Sequence, residues 1–346
     1  MAPICRHVTD HHRRFEDKGT AMNEISSSRP LAIGVWASVV FFGGYFAVAH
    51  LVGWHNPAPW ESAIGEASRW CERVAPGAFR EPVNALSNIG FMLGGLWMLW
   101  VLGRDERAGL PRVGLQGFTS SSLVYAGAAW FLGPGSLMMH GTHAAWGGWL
   151  DNLSMVMYIL IPWMLNLSQM GRWSMPQFLW TYVAVVALYA LLRGLYGWGL
   201  GMNLDLFGLS IALWVITESL YRFWSPTFRW LSGGVGFIVA AVFGITPLEM
   251  AAAPEKYWWV VLFWLPALVA KEAPARRRNY WPWFLLGVFF YLSASAIWQT
   301  GKPDHPWCDP DSLIQAHGIW HLMTAVATVC FFVFLRTERE KESLAT

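Results

Sequence analysis

The chain reads as an all-α polytopic transmembrane bundle of about ten helices. Three observations predict this. Of its 346 residues, 55% are hydrophobic and 13% charged, with a mean hydropathy of +0.35, whereas a soluble domain carries about a quarter charged residues. The 24 tryptophans suit a protein with two membrane–water interfaces, where indole rings settle. Apolar runs of spanning length recur along the sequence. The same composition excludes other classes. A formal net charge of +2 leaves no basic footprint for nucleic acid, and there is no Gly-rich phosphate loop, CxxC pair or HExxH motif. Four cysteines are too few for a disulfide scaffold.

Residues 1–30 are polar and mixed in charge, with Arg13-Arg14 and Ser26-Ser27-Ser28, and read as a solvent-exposed tail. Leu31 to Val52 is long enough to span. Ala47-Val48-Ala49 looks like a signal-peptidase site, but the polar lead is too long for a signal peptide, so an uncleaved helix is expected. A polar segment, 53–82, carries four glutamates and three arginines. Further spans are expected at 83–102, 118–140, 148–167, 178–195, 204–222, 231–249, 257–270, 280–298 and 313–335. Tail residues 337–346 complete the division into 1–30, 31–336 and 337–346. Cytoplasmic loops collect Lys and Arg. With both termini inside, only Arg69, Arg73, Arg80, Arg193, Lys256 and Lys302 of 24 basic residues fall outside, so both termini are placed in the cytoplasm.

This topology brings a set of polar residues to one depth. His317 and His321 lie one turn apart at the head of the last span, and buried imidazoles in a membrane helix are costly without a partner. The third span ends with Gly133-Pro134-Gly135-Ser136-Leu137-Met138-Met139-His140, and Asp151 lies about one turn into the fourth. Ser136, His140, Asp151, His317 and His321 all fall in the outer part of the membrane. Three histidines and a water are the pattern of a catalytic zinc, with zinc-bound water as nucleophile. Asp151 would be the proton shuttle and Ser136 the oxyanion donor. His143 is an alternative third ligand, and heme ligation or helix–helix hydrogen bonding would also place histidines in spans.

Gly133-Pro134-Gly135-Ser136 with His140, Asp151-Asn152-Leu153-Ser154-Met155, and His317-Gly318-Ile319-Trp320-His321 resemble three motifs of the alkaline ceramidase family, within a superfamily of seven-helix membrane hydrolases that includes the adiponectin-type receptors. Trp70-Cys71-Glu72, with Glu81-Pro82-Val83-Asn84-Ala85-Leu86-Ser87-Asn88, resembles the segment entering the family's first helix. The resemblance implies a seven-helix core plus extra helices. It implies zinc on His140, His317 and His321, assisted by Ser136 and Asp151, and hydrolysis of the ceramide amide to sphingoid base and fatty acid; the loop-charge topology puts this site toward the extracytoplasmic face. Another acyl-amide or ester lipid substrate, or a non-catalytic lipid-sensing receptor with structural zinc, is the alternative.

The family also carries a calcium site, and Trp70, Glu72 and Glu81 match part of it. Arg69 and Val74 stand where the family has Asp and Asn, which disfavours Ca2+; Arg69 or Arg73 is expected to pair with the glutamates instead. Cys71 and Cys308 both lie in outer loops, before the first motif helix and before the last, so either a clamping disulfide or two free thiols is expected. Glu218, within a span, is expected at the inner interface, neutral or beside Arg222.

Overall fold

Short polar side chains that accept backbone N–H groups fix where several of the helices begin. The computed structural model describes residues 29–54 and 57–340. The expected tail up to residue 28, with Cys5, lies outside the described residues, as do His55 and the tail from 341. Helix α1 spans Arg29–Leu51, and the short α2, Pro82–Ser87, runs into α3, Ile89–Arg107. Then come α4, Ser120–Thr142, α5, Ala145–Met170, α6, Met175–Tyr196, and α7, Leu206–Phe223. Four short helices follow: α8, Pro226–Leu231, α9, Gly233–Val242, α10, Pro247–Ala252, and α11, Leu265–Val269, the last entered through a 3₁₀ stretch over Trp258–Trp264. α12, Trp283–Gln299, and α13, Ala316–Leu335, complete the bundle, and strands β1, Arg276–Arg277, and β2, Arg339–Glu340, pair antiparallel. Thr119 with Ser122 and Ser174 with Gln177 form capping boxes on α4 and α6, and Asp205 accepts from Phe207 and Gly208 at the start of α7. Each such cap is worth about 1 kcal/mol.

Among the described residues, six helices are long and apolar enough to cross a membrane. They are α1, α2 running into α3, α5, α6, α7 and α13. The central α4, 23 residues long and buried along its second half, and the 17-residue α12 pack among them. Outside-facing positions are apolar: α1 exposes Ile33, Trp36 and Val40, and α6 exposes Trp180, Leu188 and Leu195, as a lipid-facing surface requires. The chain is thus an all-α polytopic membrane protein.

The close approach of α4 to its neighbours depends on missing side chains. A Cβ on Gly135 would sit 2.4 Å from Ser154 Oγ on α5, and one on Gly133 2.4 Å from Met92 Cγ on α3. Small residues allow such backbone approach between membrane helices. It is this approach that sets Ser136 beside α5.

The spans expected at 231–249 and 257–270 are not continuous helices. Pro226, Pro247 and Pro266 each start a new short helix, and the chain turns at Gly244, whose φ is +85°. The result is a folded-back hairpin on α7. Gly233 lies against Trp264 and Gly236 against Phe263, Trp258 Nε1 donates to Met202 O at 2.6 Å, and Lys271 N returns to Met170 O at 2.8 Å. Average hydropathy reads such a pair as two spans because it ignores the breakers. The hairpin returns to the end where it started, so α12 and α13 keep their expected directions.

Glu218 is buried, and among the described residues its ion-pair partner is Arg278 rather than Arg222. Its carboxylate is 2.8 Å from Arg278 and accepts from Asn166 Nδ2 at 2.9 Å and from the Tyr280 hydroxyl at 2.6 Å. Arg278 is also 3.1 Å from Glu338, which accepts from the Tyr221 hydroxyl at 2.6 Å. Residue 337 therefore does not begin a free tail, because Glu338 is 2% exposed. The sequence separates these partners by 60 residues, beyond the reach of helix spacing rules.

At the opposite end, the sulfurs of Cys71 and Cys308 are bonded. Arg73 adds a two-pronged contact to Asp311, Nε to Oδ1 at 2.5 Å and Nη2 to Oδ2 at 2.6 Å. The loop before α2 is thereby strapped to the loop before α13.

Two outcomes follow from this framework. Arg278→Met strands two buried carboxylates, and a loss of about 3–5 kcal/mol is expected, read as a lowered melting midpoint in detergent; an unchanged midpoint would show that the network is not stabilising. A gel-mobility shift on reduction is expected to persist in Cys330→Ser and vanish in Cys71→Ser.

Candidate metal centre

α4 delivers His140 from its last turn, and α13 delivers His317 and His321 from its first two. The Nε2 atoms of His140 and His317 are 3.0 Å apart, and one nitrogen from each of the three rings lies within 4.8 Å of the others. The residues are 1%, 4% and 1% exposed. Among the described residues they are the one cluster of this kind.

The surroundings set two of the tautomers. His140 Nδ1 is 2.9 Å from Glu81 Oε2, so Nδ1 carries the proton and Nε2 keeps its lone pair. His321 Nδ1 is 2.8 Å from Ser87 Oγ. The Ser87 hydroxyl donates to Asn84 O at 2.8 Å, so it accepts from His321, whose Nε2 is likewise left with a lone pair. His317 is held by its faces, stacked on Trp70 at 4.3 Å and 17° and on Trp320 at 5.2 Å, and its Nδ1 has no partner. Two fixed lone pairs and a third imidazole converging in a buried space form a donor set that fits a metal cation.

Asp151, in the second turn of α5, is 9% exposed. Ser136 lies near the Asp151 carboxylate, and Ser136 Oγ is 3.4 Å from His321 Nε2. Ser136 therefore stands between the carboxylate and the imidazoles, and Arg69 and Arg193 are the arginines whose fields reach Asp151.

Glu81 and Glu72 are consumed by protein contacts. Glu81 also accepts from His143 Nε2 at 2.7 Å and Asn84 Nδ2 at 2.7 Å. Burial would raise its carboxyl, but His140 and His143 beside it hold it well below the usual range. Glu72 accepts from Val83 N at 2.7 Å and Asn84 N at 2.8 Å. These are free N–H groups of the first turn of α2, which the N-cap residue Glu81 leaves uncapped. Burial raises the Glu72 carboxyl despite these bonds. Trp70, the third residue of the expected second-cation set, offers its ring to His317. The expected pairing of Arg69 or Arg73 with these glutamates does not occur: Arg69 is 3.0 Å from Glu61, and Arg73 holds Asp311. His143, the alternative ligand, ends α4 at φ +55° and turns its Nε2 to Glu81 rather than to the three-histidine cluster. Ser87 and the Trp70 ring went unread in the sequence. Ser87 could have been found, because Glu81, Asn84 and Ser87 recur every three residues and put a polar face on the entry to α2.

An apolar cavity of about 280 Å³ lies between α5, α7, α9, α12 and α13, and its lining residues Phe91 and Trp320 pack against the His321 ring. Phe91 and Trp320 line it beside His321, Tyr158 and Ile211 line its walls, and Glu218 marks its far end. On α13 its wall runs from Trp320 to Phe331, roughly 15 Å of helix.

Fold and site together define a polytopic membrane protein with a buried three-histidine centre near an apolar chamber. Residues 66–344 match the Ceramidase family, and the chain belongs to it. No curated protein matches the chain. Membership implies a hydrolase with a lipid substrate such as ceramide.

Glu81→Gln is expected to weaken divalent-metal uptake about 10- to 100-fold, measured by chelator competition on the purified protein. Unchanged affinity would mean that the carboxylate does not prepare His140.

Proposed function

We propose that this protein is a zinc-dependent membrane amidase that hydrolyses the amide bond of ceramide to sphingoid base and fatty acid. The observation that carries the reading is the convergence of His140, His317 and His321 on one space, with Asp151 and Ser136 alongside and an apolar chamber below. Three imidazoles leave a fourth position open on zinc, and zinc, when bound, lowers the pKa of water to roughly 7 and polarises a carbonyl.

The chain's own residues supply the rest. The chamber walls take an alkyl chain out of contact with water and bring the amide to the level of His321. Asp151 accepts the proton of the attacking water and returns it to the leaving amine. Ser136, near both the Asp151 carboxylate and His321, donates its hydroxyl proton to the amide oxygen in a hydrogen bond as charge develops there. Glu81 and Ser87 hold His140 and His321 in one tautomer throughout. The distribution of basic residues supports cytoplasmic termini and a centre toward the extracytoplasmic face. Calcium has no part in the proposal, because Glu72 and Glu81 are already bonded.

The test is release of sphingoid base from a defined ceramide by the purified protein, followed by mass spectrometry. Wild type is expected to turn over, and His317→Ala to lose both metal and activity. Asp151→Asn is expected to keep zinc while kcat falls about 10²- to 10⁴-fold. Product from His317→Ala, or no product from zinc-loaded wild type, would overturn the proposal.

A further inference from the structure

At the end of the bundle away from the histidines, a groove runs between the segment after α3 and the β1–β2 ladder. The ladder sorts its charges by face. Arg277 stands directly opposite Arg339, and two residues further on Asn279 N donates to Thr337 Oγ1 at 2.9 Å. Side chains alternate along a strand. Arg278 and Glu338 therefore turn inward, where they pair at 3.1 Å. Arg277 and Arg339 turn the other way, side by side into the groove.

Like charges directly opposite one another destabilise a ladder. Both arginines are exposed, and among the described residues neither forms an ion pair. Arg278 and Arg336 also border the groove, and among the described residues no acidic side chain lines it. Leu110, Pro111 and Val333 make its apolar border. The inward face pairs its arginine with carboxylates, whereas the groove face sets two arginines side by side.

We propose that this groove binds the phosphate of an anionic membrane phospholipid, with Arg277 and Arg339 as its principal ligands. The guanidinium fork matches phosphate oxygens in pairs, and basic pockets at the inner ends of membrane helices take up phosphorylated head groups. The apolar border and the site's place at the end of the bundle favour a lipid over free phosphate. The proposal is independent of the amidase reading, and its readouts need neither metal nor turnover.

The full chain, purified in detergent, is titrated separately with phosphatidylglycerol, phosphatidylcholine and inorganic phosphate. Its melting midpoint and its retained lipid, by native mass spectrometry, are recorded. Phosphatidylglycerol is expected to raise the midpoint and phosphatidylcholine to leave it unchanged. R277Q/R339Q is expected to bind phosphatidylglycerol about tenfold or more weakly, whereas R277K/R339K retains part of the affinity and Arg104→Gln, on the same end of the bundle, all of it. In lipid-free, phosphate-free buffer, Arg339→Gln is expected to be no less stable than wild type, since it removes a repulsion. Stabilisation by inorganic phosphate that matches phosphatidylglycerol and is lost in R277Q/R339Q would keep the phosphate site and assign it to a soluble ligand. Equal binding of phosphatidylcholine, or equal response of wild type and R277Q/R339Q, would overturn the proposal.

Discussion

The hydrogen bond between Glu81 and His140 ties together the parts of this protein that matter for chemistry. It joins the loop before α2 to the last turn of α4, and it is reinforced by the backbone: Glu81 N donates to His140 O and Arg80 N to Gly141 O, both at 3.0 Å. Those carbonyls are among the ones a helix end leaves without partners. The same loop places Trp70 on His317, Glu72 on the first turn of α2, and Cys71 on Cys308. Three imidazoles can be buried among apolar helices only if each is oriented. Here one extended segment orients the rings at both sides of the centre.

A functional logic follows from where the polar groups are concentrated. Two clusters of buried charged and imidazole side chains, the histidine centre and the Arg278–Glu218–Glu338 network, lie toward opposite ends of the apolar chamber. The first carries the donor set and a carboxylate, and the second borders the chamber and anchors the C-terminal strand.

Much of the centre was legible in the sequence because its residues obey local rules. His317 and His321 are spaced by one turn, as are Ser136 and His140, and loop charge bias sets the parity that brings those pairs to one depth. The long helices α1, α2 running into α3, α5, α6, α7 and α13 follow from apolar run length in the same way. What escaped is non-local. Arg278 finds Glu218 and Glu338 through tertiary packing that no helical period encodes. Arg69 and Arg73 were expected beside Glu72 and Glu81 from their adjacency, yet the backbone of the loop turns them toward Glu61 and Asp311. The hairpin over α8 to α11 escaped for a different reason, since prolines and glycines break helices inside a run that remains uniformly apolar.

Zinc-edge X-ray absorption on the purified, detergent-solubilised protein tests the central claim, that His140, His317 and His321 form one zinc site with an open position. A first shell of four nitrogen or oxygen neighbours at about 2.0–2.1 Å, with imidazole outer-shell scattering, is the expected result. A sulfur-containing shell, a shell without imidazole scattering, or a protein that holds no zinc when wild type and His321→Ala are loaded alike would contradict it.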